Sequence, residues 1–271
     1  MKTVLITGTS SGYGKATAER FLQRGWNVIA TMRVPREGLF GTSDRLLLVQ
    51  LDVTDEASIA RAISQGIEAF GKIDVLVNNA GIGLFSAFEA TPAAVTREVF
   101  ETNTFGVMAM TRAIIPHMRE RGEGAIVNVT SSVCFAGMPL VAPYAASKFA
   151  IEGFTEALFF ELDIHGVRVK LVEPGYGPGT SFTSNGMDRM NGLIPTAYQE
   201  YAGQLMQAFA NPGAVTDAAQ VADAVVAAAN DQTDRLRFPA GPDSEHLANA
   251  RWNSTDEQFL NGMRSMLRMK K

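Results

Sequence analysis

Short apolar runs alternate with longer, helically spaced stretches along most of the chain. The runs 3–7, 28–31, 46–51, 74–78, 125–130, 168–173 and 236–239 are of strand length and rich in Val, Ile and Leu. Successive strand side chains point to opposite faces, so a run without polar alternation is covered on both sides, as in a parallel sheet. Between these runs, 15–24, 55–70, 94–119, 144–164 and 217–230 carry apolar residues at helical spacing. Asp217, directly after Thr216, reads as a capped helix start. Strand–helix alternation of this kind predicts an α/β fold: a Rossmann-like, doubly wound parallel sheet of about seven strands flanked by helices, with right-handed crossovers.

One region breaks the rhythm. Residues 177–212 hold no strand pattern and are rich in glycine, methionine and aromatics. Doubly wound sheets bind ligands beyond the carboxyl ends of their strands, so an insertion there predicts a substrate lid. Neither an internal repeat nor a low-complexity linker interrupts 1–271, which reads as a single domain with a helical tail over 244–271. In that tail, 256–271 is amphipathic, with Phe259, Met263 and Met266 along one side and Arg264, Arg268, Lys270 and Lys271 at its end. Basic residues complement the carboxyl end of a helix dipole, which favours packing over attachment to a membrane surface.

Composition narrows the classes. The chain is 46% hydrophobic and 19% charged with a net charge of −4, which excludes disorder and gives no general attraction to nucleic acid. Cys134 is the single cysteine, so no internal disulfide forms; His117, His165 and His246 fall at no metal-ligand spacing. The first residues lack a signal-peptide h-region, and no apolar run reaches the roughly 18 residues of a membrane span. A cytoplasmic globular protein is expected.

The first strand runs into Thr7-Gly8-Thr9-Ser10-Ser11-Gly12-Tyr13-Gly14, where a helix begins. Glycines at such a turn let backbone amides approach a pyrophosphate at the helix N-terminus. The second strand ends Thr31-Met32-Arg33, without the carboxylate that accepts from an NAD ribose. A guanidinium there fits the 2′-phosphate of NADP(H), with Ser10 or Ser11 and Thr31 adding hydroxyls. NADP(H) is therefore expected over NAD(H).

Tyr144 and Lys148 lie four residues apart in a helical stretch, hence on one face. A neighbouring ammonium favours the phenolate and is expected to lower the phenol pKa towards a working range. A Tyr-x3-Lys pair also recurs by chance. Its setting strengthens it: Ser131 stands thirteen residues upstream, at the end of the strand 125–130.

Together these residues resemble the short-chain dehydrogenase/reductase family over about 2–239. The turn matches its Thr-Gly-x3-Gly-x-Gly fingerprint, with Tyr13 where isoleucine is usual. Asn78-Asn79-Ala80-Gly81 matches its NNAG motif, and Asp52, with Val53 beside it, its adenine-contacting aspartate. Asn103, Ser131, Tyr144 and Lys148 match the catalytic tetrad, and Pro174-Gly175 the turn that touches the nicotinamide. Ser131 is preferred to Ser132 on its spacing from Asn128 and Tyr144. Thr180 comes one residue later than the family's threonine, which leaves its carboxamide contact open. The stretch around Tyr144 resembles the hydroxysteroid and retinol dehydrogenase branch.

The resemblance implies an NADP(H)-dependent oxidoreductase interconverting a ketone or aldehyde and an alcohol. Tyr144 would exchange the proton, Ser131 hold the substrate oxygen, Lys148 tune Tyr144 and orient the ribose, and Asn103 hold a water. It implies a homodimer or homotetramer through the two long helices. Cys134, Phe135, Met138, Val141, Tyr176, Phe182 and Met187 form the expected wall for a lipophilic or small carbonyl substrate. The alternative is an NADP(H)-binding regulatory or scaffold protein without turnover, against which the intact tetrad argues.

Overall fold

The computed structural model describes residues 1–178, 180, 189, 191–210 and 213–267. Strands β1 (Thr3–Ile6), β2 (Asn27–Met32), β3 (Leu46–Gln50), β4 (Val75–Asn78), β5 (Gly124–Val129), β6 (Val167–Pro174) and β7 (Arg237–Ala240) form one sheet in the order β3-β2-β1-β4-β5-β6-β7. Every pairing is parallel. The helices are α1 (Gly12–Gln23), α2 (Glu56–Phe70), α3 (Ala93–Phe100), α4 (Gly106–Arg121), α5 (Ala142–Asp163), α6 (Thr196–Ala210), α7 (Ala218–Asn230), α8 (Pro242–Trp252) and α9 (Asp256–Met266).

Both faces of the sheet are covered, as the unbroken apolar strands require. Val4, Ile6, Val28 and Val77 pack with Phe21 of α1 and Val221 and Val225 of α7. The alternate residues Leu5, Ile29, Leu76 and Ile126 meet Ile59 of α2, Met110 and Ile114 of α4 and Leu158 of α5. Each fully buried aliphatic side chain stabilises the fold by about 1.5–3 kcal/mol. Helix ends follow local chemistry. Asp55 caps α2 by accepting from the Ala57 N–H at 2.9 Å, and Gly71 ends it at φ 77°. Asp217 forms a capping box with Gln220 at the start of α7.

Three places differ from the sequence pattern. The run 94–119 is two α-helices joined by a π-turn over Glu101–Phe105, a widening often found at functional sites. The strandless segment carries α6, whose apolar spacing was obscured by the surrounding glycines. The tail is two helices, and Leu247, Phe259 and Met263 close over Phe135. Arg268, Lys270 and Lys271 lie outside the described residues.

Candidate active site

The strand order reverses between β1 and β4, and a cavity of about 1110 Å³ opens at the carboxyl ends there. Its floor is the glycine turn between β1 and α1. At Gly14 a Cβ would stand 2.2 Å from the Gly8 carbonyl oxygen, and at Gly8, with φ 71°, 2.8 Å from the Cα of Ala80. Glycine is required at both. Asn79 braces the turn: its Nδ2 donates to the carbonyls of Thr7 at 2.9 Å and Gly8 at 3.1 Å. The Thr7 hydroxyl accepts from the N–H of Asn79 at 3.0 Å and of Ala80 at 2.9 Å. Gly8, Ser10, Ser11, Gly12, Tyr13, Gly14, Asn79, Ala80 and Gly81 all line the cavity. This bare backbone cradle at a helix N-terminus fits a dinucleotide pyrophosphate.

Tyr13 reaches from that turn to the opposite rim. Its hydroxyl donates to the Gly175 carbonyl at 3.4 Å, and burial beside Asp243 keeps it protonated. Pro174 and Gly175 line the same rim. Thr180 lines it too, and its hydroxyl donates to the Gly177 carbonyl at 2.9 Å.

At the β2 end Arg33 is exposed and lines the cavity, with Asp52 and Val53 beyond it. Bonds from the Thr54 N–H and hydroxyl, with Arg33 nearby, hold the Asp52 carboxyl below its ordinary pKa. Thr31 does not serve as expected. It is fully buried, and its hydroxyl donates back to the Ile6 carbonyl at 2.9 Å. Arg36 takes a place the sequence did not reveal: its Nη2 donates to the Ser10 carbonyl at 2.5 Å. A second guanidinium thus stands by the serine turn. Its loop position between β2 and β3 carried no periodic signal.

On α5, Tyr144 and Lys148 share one face and are both buried. Ser131, at the end of β5, is hydrogen-bonded to the Tyr144 phenol, and its Oγ also accepts from the Val133 N–H at 3.3 Å. Lys148 Nζ donates to the Val129 carbonyl at 3.0 Å. The expected lowering of the phenol pKa does not occur in the protein alone. Burial pushes Tyr144 up, outweighing the Ser131 bond, and lowers Lys148 to about 8. Each group is thereby driven towards its neutral form. Asn103, in the π-turn, is buried behind the cavity, and its Nδ2 donates to the Ile82 carbonyl at 2.9 Å and to Ser147 Oγ at 3.1 Å.

Of the expected substrate wall, Met138, Val141 and Tyr176 line the cavity. Cys134 and Phe135 do not. Phe135 turns into the α8–α9 cluster, edge-on to Trp252 at 5.2 Å, and the Cys134 thiol is bonded to Glu152. Phe182 and Met187 lie outside the described residues. Leu84, Phe85, Met206 and Phe209 complete the apolar wall, with Phe209 against Tyr176 at 5.2 Å. Among the described residues no cluster could hold a metal, and no helix is long and apolar enough to cross a membrane.

A glycine cradle at the switch point, with Ser131 at the end of β5 and Tyr144 and Lys148 facing it from α5, defines a dinucleotide-dependent oxidoreductase. The short chain dehydrogenase family model matches residues 2–191, and the chain belongs to the short-chain dehydrogenase/reductase family. It is an oxidoreductase acting on CH–OH and C=O groups. It is 35% identical to the uncharacterized oxidoreductase YusZ of Bacillus subtilis, over 89% of each chain. It is 41% identical to a 3-ketodihydrosphingosine reductase of Bacteroides thetaiotaomicron, over 67% of this chain and 66% of that one. Retinol dehydrogenase 8 of Bos taurus is 39% identical over 64% of this chain and 58% of its own. The crystal structure of a short-chain dehydrogenase from Streptomyces avermitilis superposes with a TM-score of 0.80 at 31% identity, covering 100% of this chain and 98% of that one. Solved neighbours carry NADP in a Burkholderia cenocepacia protein (TM-score 0.75, 27% identity, 100% of each chain). One from Burkholderia phymatum carries NAD (0.76, 27%, 99% of this chain and 95% of that one).

Proposed function

We propose that this chain is an NADP(H)-dependent carbonyl reductase and alcohol dehydrogenase for a lipophilic substrate, with Tyr144 as general acid and base. The observation that carries the reading is the Tyr144 phenol, buried, held protonated and hydrogen-bonded to Ser131 at the end of β5. A neutral phenol in a secluded cleft is ready to give its proton to a carbonyl oxygen. The Ser131 hydroxyl donates to the same oxygen as negative charge develops there. In the reverse direction Tyr144 takes the proton of the alcohol. Lys148 orients the nicotinamide ribose, and Asn103 holds the loop at Ile82 in place beneath it.

The bound cofactor supplies the hydride chemistry, and the protein supplies position and electrostatics. Gly8, Ser10, Ser11, Gly12, Tyr13, Gly14, Asp52, Val53, Asn79, Ala80, Gly81, Pro174 and Gly175 hold it. Arg33, joined by Arg36, and the lack of a carboxylate at the end of β2 support NADP(H) over NAD(H). The wall of Leu84, Phe85, Met138, Val141, Met206 and Phe209 supports a lipophilic ketone, aldehyde or alcohol. Two relatives are named for 3-ketodihydrosphingosine and retinol, in keeping with such a wall. Helix α6 serves as the lid. Exposed Phe149, Phe160 and Ile164 along α5 and its end, with Phe105 beside α4, support a homodimer through these helices.

The test follows NADPH and NADH absorbance against long-chain ketones, aldehydes and their alcohols. Turnover with NADPH that disappears in Tyr144→Phe, while NADPH still binds, is the expected result. Turnover surviving in Tyr144→Phe overturns the acid–base assignment. Preference for NADH, unchanged by Arg33→Ala, overturns the cofactor assignment.

A further inference from the structure

Behind the catalytic face lies a buried acidic cluster that the proton transfer itself does not use. Glu152 follows Lys148 by one helical turn on the same face of α5 and is buried. Its Oε1 accepts from the Thr130 hydroxyl at 2.6 Å, and its Oε2 from Arg237 Nη2 at 3.1 Å. The Cys134 thiol also bonds to it. Thr130 precedes Ser131, and Cys134 is tied to the Ser131 carbonyl through its own N–H at 3.0 Å. One carboxylate therefore grips both sides of the residue that holds the Tyr144 phenol.

We propose that Glu152 is a positioning residue of the active site: it fixes the strand end carrying Ser131 and places a carboxylate one helical turn from the Lys148 ammonium. The inference rests on the reading of Lys148 as the ribose-orienting group. Charges and titratable groups around the pair are few. Glu173 of β6 and Arg237 of β7 face Glu152 from one side, Cys134 from the turn after Ser131, and exposed Glu156 reaches Arg237 from α5 at 2.5 Å. Asn103 stands near Lys148 at Gly81 and carries no charge. Glu173 is fully buried and pushed up to about 9, so it is neutral over most of the working range. Burial pushes the Glu152 carboxyl up as well, but the Thr130 bond and half-buried Arg237 oppose this, so Glu152 and Arg237 remain as the charged pair, with Glu152 one turn from the lysine. Burial alone drives Lys148 down, while Cys134 and Glu152 oppose it.

Two arms test the two halves. The first measures NADPH affinity by fluorescence titration between pH 6 and pH 10, a readout that needs no turnover. Wild-type affinity falls as Lys148 loses its proton near pH 8. In Glu152→Gln that fall moves to lower pH by on the order of one pH unit, as loss of a buried counter-charge one helical turn away requires. Glu173→Gln, which imitates the neutral acid already present, leaves it in place. A Glu152→Gln curve that falls where the wild type does overturns the charge role, whatever its absolute affinity.

The second arm uses Thr130→Ala, which keeps the Glu152 carboxyl in place and loses its bond to the strand end. The expected result is a kcat lowered about tenfold, a larger change than any in the NADPH Kd, and recovery in Thr130→Ser, which restores the hydroxyl. Unchanged kcat in Thr130→Ala overturns the positioning role, and this arm decides the matter if Glu152→Gln does not fold. Wild-type protein that binds NADPH but turns over nothing fails the proposed function, and the binding arm still stands by itself.

Discussion

Asn103 grips Ile82 by both of its backbone groups. Its Oδ1 accepts from the Ile82 N–H at 2.8 Å, and its Nδ2 donates to the Ile82 carbonyl at 2.9 Å. Ile82 directly follows the Asn79-Ala80-Gly81 segment that braces the glycine turn, so this pairing ties the π-turn to the cofactor cradle. The geometry is that of a strand pair made by one side chain. It gives the π-turn a purpose, because the widened turn is the site from which Asn103 reaches the loop.

Asn103→Ala leaves the Ile82 N–H and carbonyl and the Ser147 hydroxyl without this partner. Buried polar groups stranded in this way cost about 1–3 kcal/mol each when water cannot reach them. A total loss of about 2–4 kcal/mol is expected, because the loop at Ile82 lines the cavity and is partly reached by solvent. The midpoint of urea unfolding measures it. A change below about 0.5 kcal/mol would show that the loop holds its shape without Asn103.

Gly14→Ala and Gly153→Ala are expected to act in opposite directions although both add one methyl to a helix. At Gly14 the methyl meets the Gly8 carbonyl and Asn79 Nδ2, at 2.2 and 2.4 Å, and the carbonyl is backbone that cannot swing away. NADPH affinity should fall by more than tenfold and stability by about 2 kcal/mol or more. At Gly153, exposed in α5, nothing of the same chain stands within 4 Å of the new methyl, and helix propensity raises the stability of the subunit by about 0.5–1 kcal/mol. Calorimetric melting of the two variants, with cofactor titration, checks both.

Lys148→Met should abolish turnover yet stabilise the cofactor-free protein. Burial lowers the folded-state pKa of Lys148 from 10.5 to about 8, so below pH 8 the fold must hold an ammonium it disfavours. Every tenfold loss of proton affinity is worth about 1.4 kcal/mol, and losing the bond to the Val129 carbonyl offsets part of the gain. A net gain of about 1–2 kcal/mol at pH 7 is expected. The cost is full below pH 8 and shrinks as pH rises towards the unfolded value, so the advantage of Lys148→Met should fade between pH 8 and pH 10.5. Denaturation midpoints at pH 7 and pH 10 measure that convergence.

What the sequence made legible was what periodicity and spacing encode. Doubly apolar runs gave the sheet, since Val4, Leu5 and Ile6 are buried on alternate faces beneath different helices. Spacing placed Tyr144 and Lys148 on one face and put Ser131 at the strand end. Direction within a site was not legible. Phe135 and Met138 sit three residues apart in one loop and both touch the α8–α9 cluster, yet only Met138 also lines the cavity while Phe135 turns away onto Trp252. Nothing local distinguishes them, because the choice is made by α8 and α9, which are far away in sequence. Thr31 is similar: a hydroxyl at a strand end serves cofactor or sheet according to its rotamer, and here it bonds the Ile6 carbonyl. Burial was equally hidden, which is why the phenol pKa rises where a neighbouring lysine led to the opposite expectation.

Glu173 gives the protein a pH-dependent stability that one substitution should flatten. Its carboxyl is buried on β6, with Oε2 accepting from the Phe238 N–H at 3.1 Å and Arg237 Nε 3.6 Å from Oε1. Burial, reinforced by Glu152, raises its pKa from 4.5 to about 9. The folded state therefore binds a proton that the unfolded chain releases above pH 4.5. That contribution is whole below pH 4.5 and is progressively lost as pH climbs to about 9. Glu173→Gln has no proton to hold, keeps the bond from Phe238 through its carbonyl oxygen and matches the neutral acid in shape. The variant should be more stable than the wild type by about 1–3 kcal/mol at pH 8 and close to it at pH 4.5. Urea midpoints at pH 4.5, 6, 7 and 8 trace the difference. Parallel curves for the two proteins would mean that Glu173 is ionised in the fold, with Arg237 carrying both glutamates.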